Sequence, residues 1–453
     1  MKFAMSEGQK RFYKDLAALV IPISIQNLLT NAVNSADVFM LGYVGQSALS
    51  AVSLANQFQF ILGGFFFGIT SGITMLASQY WGKKDTDSIQ TVMGIAMKIS
   101  FVICLIIFCG AVFAPEVLMK IYTNDAELIA IGASYLRVIG TSYLLMSVSQ
   151  VYLCILRSTE RAKISTAISS TALILNIALN AVFIFGLFGM PKLGVVGVAI
   201  ATVISRVVEV FLCVVDMMRG KSFQVKLSTV FARNKLLFQD YLKYSIPALA
   251  NDILWTLAFS TYSIIMGHMN SDVVAASSVA TTVRDLLTIV CYGLSSGGSV
   301  LLGIEIGEGR MEHAKKDASR LCHATFMFGV LTGLLILATR PLVFACFQLS
   351  DRAYEYLNIM LIISSYYVVG QTMNTVTIAG IFRAGGDSRF GMICDAVTMW
   401  CICVPLGFLS AFVFKLPPMV VYFILCLDEF WKIPVVYHHY KSYKWLKDIT
   451  RDF

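Results

Sequence analysis

The stretch Ile21 to Ala55 reads IPISIQNLLTNAVNSADVFMLGYVGQSALSAVSLA, and it returns in altered form as IPALANDILWTLAFSTYSIIMGHMNSDVVAASSVA from Ile246 to Ala280. A constant offset of 225 residues pairs Pro22 with Pro247, Gly42 with Gly267 and Ala51 with Ala276, and it continues to Gly68/Gly293 and Gly72/Gly297. The chain is an internal duplication, so its fold is one architecture used twice. Within the first copy, Gln26, Thr30, Asn34 and Asp37 recur at helical spacing, with Asn27 beside them, and the opposite face is apolar. A polar stripe ending in a carboxylate, on a segment long enough to cross a bilayer, reads as a helix lining a wet cavity.

Working outward, 57% of the 453 residues are hydrophobic and 14% charged, and the mean hydropathy is +0.74. That composition excludes a soluble fold of this length. Twelve apolar segments of roughly 20 residues or more lie near 17–41, 48–76, 89–114, 128–156, 164–188, 194–217, 241–267, 273–304, 318–347, 354–382, 390–414 and 418–440. Of the 35 Lys and Arg residues, 25 fall on the side that holds both ends of the chain, five on the other side and five within segments. The positive-inside rule then places both termini in the cytoplasm. The expected fold class is an all-α integral membrane protein with 12 transmembrane helices in two parallel six-helix repeats. The expected lobes are residues 1–217 and 241–453, joined by a basic cytoplasmic linker over 218–240.

The net charge of +8 follows from this loop asymmetry, and the scattered basic residues give no footprint for nucleic acid. The polar start MKFAMSEGQKRFYKD leads into a full-length span, without the pattern of a cleavable signal peptide. The 11 cysteines form no CxxC pair or His-linked metal spacing, and they read as small apolar fillers. Gly293-Leu-Ser295-Ser-Gly297 matches GxSxG by letters, but it lies inside a glycine-rich span rather than on a strand–turn–helix elbow. The glycines spaced by four at Gly64, Gly68 and Gly72 suit close helix packing.

The second half holds the costlier residues, Asp252, Arg284, Asp285, Asp395, Asp428, Glu429 and Lys432. Each charge near mid-membrane costs roughly 2.5–3.5 kcal/mol on insertion scales. Either they line a cavity that attracts a cationic cargo, or they neutralise one another. Asp428 and Lys432 stand i, i+4 for such a pair, whereas the adjacent Arg284 and Asp285 are expected to find other partners.

Together these stretches resemble the multidrug and toxic compound extrusion (MATE) family of cation-coupled antiporters. The resemblance rests on IPISIQNLL with Asp37 and Gly42, on LRSTERAKISTAISSTALILNIALNAVFIFG (156–186), on PKLGVVGVAIATVIS (191–205), and on FRAGGDSRFGMICDAVTMWCICVPLG (382–407) with the closing LDEFWKIPVVYHHYKSYKW. It implies a V-shaped pair of six-helix lobes in the cytoplasmic membrane, exporting amphipathic, often cationic compounds in exchange for Na+ or H+. It also implies a cation site at Asp37, Asn176, Asn180 and Thr202. The reading of the spans independently puts those four residues at similar depth in the outer half. Many members of the family carry LNxxxD where this chain has Asn180, and one branch has a glutamate where this chain has Trp255.

With Gln26, Asn27, Thr30 and Asn34, the further candidates for the cavity are Asp252, Trp255, Tyr262, Asp285, Asp395, Asp428 and Glu429. The expected partners are small amphipathic molecules and the lipid bilayer, with no cofactor, no nucleic acid and a monomeric chain. The alternative reading is a flippase for lipid-linked saccharides, followed by an intramembrane enzyme or a channel. Either Na+ or H+ suits a single carboxylate among carboxamide and hydroxyl oxygens.

Overall fold

The computed structural model describes residues 7–219, 225–230, 232–346 and 349–451. Lys2 and Lys221, counted above on the cytoplasmic side, lie outside the described residues, as does part of the linker. Among the described residues all regular structure is helical. The order is α1 (Glu7–Val44), α2 (Gln46–Gly82), α3 (Thr86–Phe113), the short α4 (Pro115–Lys120), α5 (Ala126–Ser158), α6 (Ala162–Phe185), α7 (Gly194–Arg219) and the linker turn α8 (Leu227–Val230). The second half has α9 (Lys235–Gly267), α10 (Ser271–Gly307), α11 (Met311–Cys346), α12 (Asp351–Thr375) continued by a π-helical turn over Val376–Phe382, and a run from α13 (Ser388–Asp395) through α14 (Val404–Phe408). It ends with α15 (Pro418–Leu425) and α16 (Asp428–Lys441).

Local chemistry fixes several of these ends. Asp125 accepts from the backbone N–H groups of Glu127 and Leu128 to start α5, and Asn270 accepts from that of Asp272 to start α10. Gly186 ends α6 in the left-handed region, at φ 70, where a side chain would be strained. Gly197 then lets α7 fold back closely, since a Cβ there would stand 2.8 Å from Phe183 Cβ.

Nine helices among the described residues are long and apolar enough to cross a membrane. The expected segments 241–267, 354–382 and 418–440 fall on helix but do not meet that standard. They are the segments that carry Asn251 and Asp252, Asn374, and Asp428, Glu429 and Lys432, so their polarity has the same origin as the buried cluster described below. The last of them is also broken, because α15 stops at Leu425 and α16 starts at Asp428.

The chain forms two compact units, Ile25–Leu242 and Met1–Ser24 with Lys243–Phe453. The first turns of α1 therefore group with the second half of the sequence, and those of α9 with the first. In one unit Leu19 and Val20 of α1 lie on the glycine face of α10, where a Cβ on Gly297 would stand 3.0 Å from Val20 Cγ2. In the other, the Tyr241 hydroxyl of α9 donates to the Ile69 carbonyl of α2 at 2.9 Å. Close packing thus accounts for the α10 glycines, whereas Gly64 of α2 has open space around it.

Candidate functional site

In the unit Ile25–Leu242, three helices bring Asp37, Asn176, Asn180 and Thr202 into one hydrogen-bonded chain. Asn176 and Asn180 are one turn apart on α6, Asp37 comes from α1 and Thr202 from α7. The Asn180 amide donates to Asp37 Oδ1 at 2.6 Å and to Asn176 Oδ1 at 3.3 Å. Asn176 Nδ2 donates to Thr202 Oγ1 at 3.2 Å, and that hydroxyl donates to the Val198 carbonyl. Asn180 is fully buried, yet its Oδ1 accepts no hydrogen bond. A buried carboxamide oxygen without a donor is a costly arrangement in a protein interior. The amide nitrogen faces Asp37, so rotation of the amide is what would bring this oxygen beside the carboxylate as a hard ligand for a cation.

The rest of the α1 stripe is less engaged. Gln26 donates to Ser169 Oγ of α6 at 3.1 Å and leaves its Oε1 without a partner. Thr30 turns its hydroxyl back onto the Gln26 carbonyl of its own helix, Asn27 is half-buried and Asn34 is exposed. Sequence reasoning passed over the tyrosines of α5. Tyr135 donates to Asn56 Oδ1 at 3.1 Å and lies within electrostatic reach of Asp37 and Tyr143. The Tyr143 hydroxyl is buried without a hydrogen bond. Their signal was two phenols eight residues apart on one face of an apolar segment.

The second unit gathers Asp252, Asp395, Asp428 and Glu429 around its own cations. Lys432 Nζ lies 2.8 Å from Asp395 Oδ1 and 3.3 Å from Glu429 Oε1. It does not pair with Asp428, because Asp395 of α13 and Glu429 one turn earlier on α16 already occupy it. Arg383 pairs with Asp252 at 2.7 Å and donates to Asn251 Oδ1 at 3.0 Å. Asn251 in turn donates to Asp395 Oδ2 at 2.5 Å, so one carboxamide joins the two ion pairs. Asn374 donates to both the backbone carbonyl and Oε2 of Glu429.

Arg284 finds the partner that adjacency argued against, its Nε lying 3.6 Å from Asp285 Oδ1, while its guanidinium stacks over Phe259 and Tyr367. Trp255 packs on Phe259, which packs edge-on to Tyr262. Asn251, Asn374 and Arg383 were not read from the sequence as part of this cluster. Arg383 belongs to FRAGGDSR (382–389), a basic turn between two apolar segments, yet the structure leaves it only 8% exposed. Among the described residues no group of His, Cys, Asp and Glu is arranged to hold a metal ion. Ser295 of the GxSxG match sits inside α10, its hydroxyl directed at the Thr375 carbonyl, without the turn that a nucleophile elbow requires.

The sequence model of the MatE family matches the chain twice, over residues 22–182 and 247–409. The two matches start at Pro22 and Pro247, the offset of the internal repeat. An uncharacterized transporter, YisQ, of Bacillus subtilis is 24% identical, covering 95% of this chain and 95% of its own length. A probable multidrug resistance protein, NorM, of Rhizobium meliloti is 25% identical over 88% of this chain and 86% of its own length. A solved outward-facing structure of a multidrug resistance MATE family transporter of the MOP superfamily superposes with a TM-score of 0.85 at 18% identity. That superposition covers 99% of this chain and 100% of the other.

Proposed function

We propose that this chain, which belongs to the MatE family, is a multidrug exporter in which Asp37 is the carboxylate that couples cation entry to efflux. Membership makes it a multi-pass membrane transporter and not an enzyme. The finer reading has twelve spans with both termini cytoplasmic, including the three polar segments, in a monomer of the cytoplasmic membrane. The cargo is amphipathic and cationic, and it moves by alternating access against Na+ or H+.

The observation that carries the coupling assignment is the chain Asp37–Asn180–Asn176–Thr202, with its one carboxylate and the partnerless Asn180 Oδ1. When Na+ is the coupling ion, rotation of the Asn180 amide turns that oxygen toward Asp37 and adds a hard ligand. When H+ is the ion, Asp37 takes it up, and Asn180 still donates to the other carboxyl oxygen. Either occupant removes the one negative charge of the site, and a change in charge is what biases a two-state equilibrium. Both ions meet at the same oxygen, so they compete.

The flippase reading needs free cations to hold an anionic headgroup. Arg383, Lys432 and Arg284 are each engaged by a carboxylate, which favours the exporter. The test is efflux of a fluorescent lipophilic cation from proteoliposomes, with sodium and proton gradients imposed separately. The reading predicts transport driven by at least one gradient and suppressed by Asp37→Asn. Gradient-driven efflux at the parent rate in that variant overturns the assignment.

A further inference from the structure

The cluster around Lys432 holds more carboxyl groups than it can neutralise. Asp395, Asp428 and Glu429 are 5%, 0% and 2% exposed, and Lys432 is 1% exposed. The ammonium offsets one of three charges. Asp428 and Glu429 open α16, and a helix N-terminus adds only about half a positive charge. About one and a half negative charges would remain if all three acids were ionised, in a place that water does not reach.

Pairing with the one ammonium identifies which acid departs from that state, since Lys432 pairs with Asp395 and Glu429. Asp395 lies in an ion pair, Lys432 Nζ 2.8 Å from its Oδ1, and its Oδ2 accepts from Asn251 at 2.5 Å. Both oxygens of Glu429 face donors, Lys432 at 3.3 Å and Asn374 at 2.8 Å. An ammonium at ion-pair distance holds both of these acids in the charged form. Asp428 differs. Its Oδ1 accepts from the Glu429 backbone N–H at 2.9 Å, whereas its Oδ2 is buried and meets no donor.

We propose that Asp428 is a proton-binding site in its own right, holding H+ on Oδ2 at the break between α15 and α16, separate from the site at Asp37. The ligand is a proton rather than a metal cation, because Lys432 already fills the position between Asp395 and Glu429 that a monovalent metal would take. We assign Tyr262 of α9 as the acceptor for the new O–H. Its buried hydroxyl has only the weakly bonding Cys403 thiol beside it, and it lies within electrostatic reach of Asp428. The other titratable groups that Asp428 acts on are Tyr367 of α12 and Cys426 in the break. Neither supplies a second positive charge.

Uptake forms the Oδ2–H bond and leaves the cluster within about half a charge of neutral. Loss of the proton puts an unpaired carboxylate against Glu429 and at the point where the last helix is already discontinuous. A buried ionisable group at a helix break is where transporters concentrate ion-dependent movement.

The test is infrared spectroscopy of the full-length protein in lipid vesicles near neutral pH. The parent is expected to show the carbonyl stretch of a protonated carboxylic acid, shifting in heavy water. Asp428→Asn should remove one component of that band, Asp37→Asn should leave that component, and Tyr262→Phe should shift its frequency by removing the acceptor. A parent without the band, or a difference spectrum between the parent and Asp428→Asn that shows no loss in it, overturns the proposal. Should Asp428→Asn fail to reach the membrane, an unshifted band in Tyr262→Phe does so. The readout needs no transport, so a failure of the antiport reading is seen separately, in the efflux assay.

Discussion

Replacing Asn180 with aspartate puts a second carboxyl group where the amide now donates to Asp37. With the present separation of 2.6 Å and an effective dielectric of about 20, two ionised carboxylates there would repel by about 6 kcal/mol. The protein cannot hold both charges unscreened, so the pair must keep a proton or a cation. If a quarter of that repulsion is relieved when the coupling ion enters, the ion binds about tenfold more tightly. Efflux of a fluorescent cation from proteoliposomes, measured against external sodium and then against pH, should accordingly half-saturate at about a tenth of the parent's sodium, or about one pH unit higher. Ion release should slow in step, so that the maximal rate falls. Unchanged ion dependence in a folded, active Asn180→Asp protein would refute the placement of the coupling site on α1 and α6.

Two further outcomes follow from burial and close approach. Lys432→Met leaves Asp395 and Glu429 without their shared ammonium at a site where all three are almost fully buried. It should lower stability by about 3–5 kcal/mol in thermal unfolding of the purified protein, whereas Arg137→Ala, which breaks a half-exposed pair with Glu116, should change it by less than about 1 kcal/mol. In the linker, Lys226 N–H donates to Gln90 Oε1 at 2.7 Å, and a Cβ on Gly94 would stand 1.7 Å from the Val230 carbonyl. Gly94→Ala should thus lift the linker from α3 and speed trypsin cleavage near Lys226, an effect read by timed digestion and absent if the linker does not rest there.

Periodicity and repeats made the helical architecture legible, because an apolar run longer than a bilayer has few other structures available to it. The duplication was legible too, down to the prolines at which the two family matches begin. What could not be read was contact across helices. The grouping of α1's first turns with the second half rests on Val20 meeting Gly297 and Gly293, and neither helix records that in its own pattern. At the site, Asp37, Asn176, Asn180 and Thr202 were named from a resemblance and a matched depth, and the structure joins them by three hydrogen bonds. The acids of the second half were visible as expensive residues, but their partners were not. Arg383 looked like one more basic turn residue, and Asn251 was an ordinary neighbour of Asp252. Spacing along one helix favoured Asp428 for Lys432, and a carboxylate from another helix displaced it.

The central claim, that Asp37 couples an ion gradient to export, is tested most directly by efflux from proteoliposomes containing the parent or Asp37→Asn at matched protein content, under a sodium or a proton gradient. The account predicts that the variant retains cargo binding and loses gradient-driven efflux. Efflux in Asp37→Asn that still follows the imposed gradient at the parent rate would contradict it.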